Sequence, residues 1–144
     1  MALETLYEQL AVVATIDPQL VDNNSVTSDW VDMSKARELL FVIQAGATDT
    51  TINAKLQAAT NSSGTSAADI AGKAITQLTA TDDNAQALIH IRADEVPAGK
   101  SHVALVVTVG DGATGGYVSA IGLASRLRYS DPGNDLASVV EEST

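Results

Sequence analysis

One run constrains this chain more than any other. Residues 37–46 read Arg-Glu-Leu-Leu-Phe-Val-Ile-Gln-Ala-Gly and alternate with a period of two. Leu39, Phe41, Ile43 and Ala45 fall on one side; Glu38, Leu40, Val42 and Gln44 fall on the other. That spacing predicts a β-strand with its first set buried. The second set is also apolar near its middle, so the strand is expected at the centre of a sheet, ended by Gly46. The only Phe of the chain lies inside it and the only Trp, Trp30, just upstream. A ring of that size can seal one end of a sandwich.

The rest of the chain repeats this grammar. Residues 2–9 read as a short helix or arm, with Leu3, Leu6, Tyr7 and Leu10 at helical spacing. A strand follows over 10–16, stopped by Asp17-Pro18 because Pro cannot donate to a ladder. Residues 22–28 read as a polar loop. Residues 51–58 alternate cleanly, with Ile52, Ala54, Leu56 and Ala58 facing in. Residues 61–66 form a surface loop. Residues 69–78 read as a strand bent at Gly72, and 82–84 as a loop.

The strand expected over 85–93 turns Ala87, Ile89, Ile91 and Ala93 inward; Leu88 is the exception on its outer face. A turn at 97–99 precedes a central strand at 102–109, which is apolar on both faces. A glycine-rich hairpin loop at 110–116 leads to a strand at 117–124, continued by 126–129. Val118, Ala120, Gly122 and Ala124 make its small face, and Tyr117, Ile121 and Leu123 its large one. Residues 133–144 read as a mobile acidic tail.

About eight short strands with turn signals every 8–12 residues or so predict an all-β fold. The expectation is one antiparallel β-sandwich or jelly roll over 1–144, with 1–9 as an arm. Its unpaired edges must be covered, charged or paired with another copy.

Function classes fall away in turn. With no Cys there is no disulfide framework, thiolate site or Cys nucleophile. The formal charge of −10, with eight scattered Lys and Arg, disfavours nucleic acid as a partner. No apolar run reaches the roughly 20 residues of a membrane span. Aromatics make up 3% of residues, too few for the ring platforms of a sugar-binding module.

His90 and His102 sit on different strands and lack a third ligand, so they read as solvated or interface histidines. The 110–116 loop lacks the Lys-Ser/Thr of a phosphate loop. Asp82 with Asp83, or Asp49 with Asp111, offers loop oxygens without calcium-loop spacing. No nucleophile elbow is present. Neither a cofactor nor enzymatic activity is expected. Arg126 and Arg128 share a face in a chain poor in basic residues, and read as solubilising charge or as an anchor for carboxylates of a partner or second subunit.

An ordered series of segments carries a resemblance. Glu8-Gln-Leu, Ile16-Asp-Pro18, Asp29-Trp-Val-Asp-Met-Ser-Lys35, Leu40-Phe-Val-Ile, Gln57-Ala-Ala-Thr and Ser63-Gly-Thr65 together resemble small head structural proteins of tailed bacteriophages. The likeness covers most of residues 6–93. It implies a capsid decoration, or cement, protein with a jelly-roll or β-sandwich fold and no catalytic residues. Such a protein binds the outer surface of the expanded shell between capsomers, often as a homodimer or homotrimer. The partner would be the major capsid protein, with the apolar arm of Leu3, Leu6, Tyr7 and Leu10 in the contact. Two other readings remain at this stage: a head-fibre, neck or tail-tip component touching the host, and a carbohydrate-binding or calcium-dependent adhesion module.

Overall fold

The computed structural model describes residues 5–127, 134, 137–141 and 143. A four-residue helix, α1 (Leu6–Gln9), leads into nine strands. These are β1 (Leu10–Val21), β2 (Asn24–Thr27), β3 (Val31–Asp32), β4 (Ala36–Thr48), β5 (Ile52–Ala59), β6 (Ala68–Ala74), β7 (Gln86–Arg92), β8 (His102–Val109) and β9 (Gly116–Leu127). They form two antiparallel sheets. Sheet A has the order β1-β9-β4-β7; sheet B has the order β2-β8-β5-β6, with β3 pairing to β8 as well.

The order follows from one operation. β1 pairs with β9, β2 and β3 with β8, β4 with β7, and β5 with β6. The chain is therefore one long antiparallel hairpin folded about the 60–67 turn. It is then rolled until β4 meets β9 and β5 meets β8. Pairs nested in this way make a jelly roll.

The alternating runs fill the space between the sheets. Leu39, Phe41 and Ile43 of β4 are fully buried, and face Leu56, Leu105 and their neighbours from sheet B. β9 beside them turns in small residues. Leu39 pairs with Ala124, Phe41 with Gly122 and Ile43 with Ala120. Each large side chain thus has a small neighbour, which fills a thin layer without overpacking. The Phe41 ring lies over Gly122, where a Cβ would stand 2.7 Å from Cε1.

Several expectations need correction. β1 does not stop at Asp17-Pro18 but runs to Val21. It is an edge strand, and its register shifts between Ile16 and Gln19, so Pro18 falls in a bulge that needs no N–H. The polar loop at 22–28 contains β2, an edge strand paired to β8. β4 continues past Gly46 to Thr48. The segment expected at 69–78 pairs as β6 over Ala68–Ala74, with Gly72 at positive φ where the register slips; Leu78 meets Ile52 in an isolated bridge. The glycine loop at 110–116 is not a hairpin loop: β8 and β9 lie in different sheets.

The two ends of the sandwich are closed by specific contacts. Trp30 packs on the 60–67 turn, where Gly64, at φ +77°, leaves room for the indole. At the opposite end Asp49, just beyond β4, accepts the N–H groups of Thr114 and Gly115 at 2.8 and 2.9 Å and holds the glycine loop.

Candidate docking surface

The outer face of sheet A is the feature that the fold alone does not require. Register lines its outward side chains into rows. One row runs Leu88, Val42, Ile121, Thr15 across β7, β4, β9 and β1. The next runs His90, Leu40, Leu123, Val12. Together they make an apolar belt across the whole sheet. Polar rows border it: Arg92, Glu38 and Ser125 on one side, and Gln86, Gln44 and Ser119 on the other. Leu88 is 63% exposed and Ile121 42%. Beyond the second border Leu20 pairs with Tyr117, both about half exposed.

Sheet B is built the opposite way. Its β8 also carries apolar residues outward, Ala104 and Val106, yet both are buried. Lys55 and Gln57 of β5 lie beside them, and both reach Asp69 of β6, at 2.9 and 2.8 Å. The stems of these side chains cover the apolar strand while their heads stay in water. The Lys55–Asp69 pair itself is exposed and adds little stability.

Among the described residues, the exposed large hydrophobics other than Val140 belong to sheet A or to α1, which enters it. They are Leu6, Tyr7, Leu20, Leu88, Tyr117 and Ile121. The molecule has one sticky side and one wet side.

The strand edges of sheet A are blunted. On β1, the N–H of Val12 donates to Asn134 Oδ1 at 2.8 Å and that of Thr15 to Asp29 Oδ2 at 3.1 Å. Thr15 and Ser138 share a hydroxyl hydrogen bond of 2.8 Å. On β7, the carbonyl of His90 accepts from Lys73 Nζ of β6 at 2.9 Å. Side chains placed on edge backbone groups discourage strand addition.

No protein-family model and no curated protein matches the chain. Among solved structures, the chain is similar to a Triatoma virus empty capsid, at 10% identity and a TM-score of 0.47, covering 88% of this chain and 94% of that one. A structure of the Gt strain of infectious bursal disease virus shows 9% identity and a TM-score of 0.44, over 84% of this chain and 32% of that one. The pilus of Bacillus endospore appendages shows 8% identity and a TM-score of 0.43, over 87% and 98%. Likenesses this distant leave function open, and the jelly-roll assignment rests on the strand order itself.

The residues singled out from sequence are dispersed. Leu6 and Tyr7 are exposed on α1, and Leu10 is half-buried at the start of β1. Leu3, Arg128 and the side chain of Arg126 lie outside the described residues, as does part of the 133–144 segment. His90 is on sheet A and His102 on sheet B. Asp82 accepts the N–H of Thr79 at 2.7 Å, and Asp83 that of Thr48 at 2.8 Å. Among the described residues no group of three or more His, Asp or Glu is placed to hold a metal ion.

Sequence reasoning did not assemble the belt. Its parts were visible singly, as Leu40 and Val42 on the second face of β4, Leu88 as an exception, and Ile121 and Leu123 on the large face of β9. Only register joins them.

Proposed function

We propose that this chain is a virion structural protein, a capsid decoration protein that binds the outer surface of an assembled phage shell and stabilises it. The observation that carries the reading is the sidedness. A body with its apolar surface on one side and a roofed polar sheet on the other suits a molecule that sits on a lattice and faces solvent. The ordered sequence resemblance to small phage head proteins points the same way.

The mechanism is thermodynamic and needs no chemistry. A ligand that binds only the assembled shell stabilises it by mass action. The apolar arm, with Leu6, Tyr7 and Leu10, supplies the buried centre of the contact. Repetition over the lattice makes release slow. The test is capture by purified shells of the phage that carries the gene. Expanded shells should retain the protein at hundreds of copies, and unexpanded shells should not. Equal capture by both, or a handful of copies per particle, would overturn the reading.

A further inference from the structure

We infer that the cleft between β1 and β2 receives an arginine side chain presented by a partner protein. This contact lies apart from the apolar side of sheet A and stands whether or not the partner is a shell.

The cleft comes from the fold. β1 ends sheet A and β2 ends sheet B, so the sandwich opens sideways between them. The register of β1 shifts between Ile16 and Gln19, around Pro18, and a bulge of this kind disrupts the ladder locally. Beside it lies a cleft of about 360 Å³. Ile16 and Val26 give it apolar lining, and Ser138 reaches it from the C-terminal segment. That volume is at the lower end of ligand pockets, enough for one long side chain.

The hydrogen-bonding capacity of the cleft is one-sided. The N–H of Thr15 is spent on Asp29 Oδ2 at 3.1 Å. The Ser28 hydroxyl donates to the Asp29 carbonyl at 3.0 Å, and Gln19 Nε2 to the Asp17 carbonyl at 3.1 Å. The Thr15 and Ser138 hydroxyls are bonded to each other at 2.8 Å. Pro18 has no N–H to offer. What remains is mostly acceptor: the Asp17 carboxylate, the second oxygen of Asp29 and Gln19 Oε1.

A group made only of donors matches such a wall, and the arginine guanidinium is one. Among the described residues two carboxylates line the cleft and no Lys, Arg or His does. The net charge of −10 adds to the pull on a cation and repels an anion. A sugar hydroxyl would find few donors. Arginine suits the cleft better than lysine because its planar fork reaches several acceptors at once. Its stem can lie on Ile16 and Val26.

The opposite side of the sandwich does the same with the chain's own cation. There Lys73 of β6 reaches the His90 carbonyl of β7 at 2.9 Å and Glu95 at 3.0 Å. Between β1 and β2 the described residues supply acceptors and no cation.

Titration of the purified full chain with N-acetyl-arginine amide, followed by two-dimensional NMR, tests this. Shifts should centre on residues 15–19 and 26–29, with a dissociation constant on the order of 1–10 mM for a single side chain. The lysine analogue should bind more weakly. The citrulline analogue, of the same shape without the charge, should leave these residues unmoved. Asp17→Asn and Asp29→Asn should each weaken binding about three- to fivefold, roughly the worth of one exposed ion pair. Asp94→Asn, which removes the same charge elsewhere, should not. The Asp17 carboxylate holds nothing in the fold, so Asp17→Asn gives the answer if Asp29→Asn fails to fold. Shifts scattered over acidic residues at large, an equal response to citrulline, or indifference to Asp17→Asn would overturn the inference. No shell takes part in the titration, so its outcome is separate from that of shell capture.

Discussion

Leu88 of β7 lies directly across from Val42 of β4, on the solvent side of a sheet whose other side is the core. Two large apolar residues paired in water give the isolated molecule little. Ile91, three residues along the same strand, is fully buried. The two positions should therefore respond differently to the same substitution. Ile91→Ala is expected to cost about 2–5 kcal/mol, the range for emptying a core site. Leu88→Ala should stay within about 0.5 kcal/mol, as surface changes do. Urea denaturation of both variants measures this directly, and a cost above about 2 kcal/mol for Leu88→Ala would show that the belt serves the fold.

Phe41 and Gly122 make a second testable pair. They are register partners, and the ring occupies the space that a side chain at 122 would need. Gly122→Ala should destabilise by about 1–3 kcal/mol through overpacking. Shortening the ring should relieve it. In the Gly122→Ala/Phe41→Leu double variant the combined loss should be smaller than the sum of the single losses. Simple additivity would mean that the ring is not what excludes the methyl group.

The architecture was legible wherever a strand buries one face and is flanked by turn residues. β4, β5 and β7 announce themselves by alternation, because the pleat puts every second side chain in the core, and β8 by a short apolar run on both faces. β1 beyond Ile16 was hidden, since Pro18 signals a stop unless the strand is known to be an edge with a bulge. β2 was hidden because an edge strand of four residues needs only Val26 to face the interior, and its remaining residues, Asn24, Ser25 and Thr27, read as loop. The docking surface was the least legible part. Its residues lie near positions 12, 40, 88 and 122, far apart in the chain, and pairing register is a tertiary property.

Lys73 tests how the edge of β7 is protected. Its Nζ bonds the His90 carbonyl and sits 3.0 Å from Glu95, with the side chain only 19% exposed. Lys73→Ala removes both contacts and leaves an open backbone acceptor at the margin of sheet A. A loss of about 1 kcal/mol is expected. A faster rise of thioflavin fluorescence on mild heating should accompany it, because an unguarded edge invites pairing between chains. Unchanged aggregation kinetics would mean that the edge is blocked by other means.

Asp49 should make one corner of the sandwich sensitive to acid. The N–H of Gly115, joined by that of Thr114, holds its carboxyl below the ordinary aspartate range, against a weaker upward push from desolvation. Gly115 is at φ +99° and has no room for a side chain, so the loop cannot readily regroup around another residue. A carboxyl whose pKa is lower in the folded state binds more protons when unfolded. Its contribution is therefore fully present above the unfolded value, about 3.9, and is lost as pH falls through the folded value. Asp49→Asn keeps the size, but only one of its two side-chain ends can accept. The variant should melt below the wild type at pH 7, and the gap should close as both are taken towards pH 2 or so. Comparing the two proteins at each pH cancels the general effect of discharging an acidic surface. A melting gap that stays constant across that range would mean that Asp49 holds the loop by shape and not by charge.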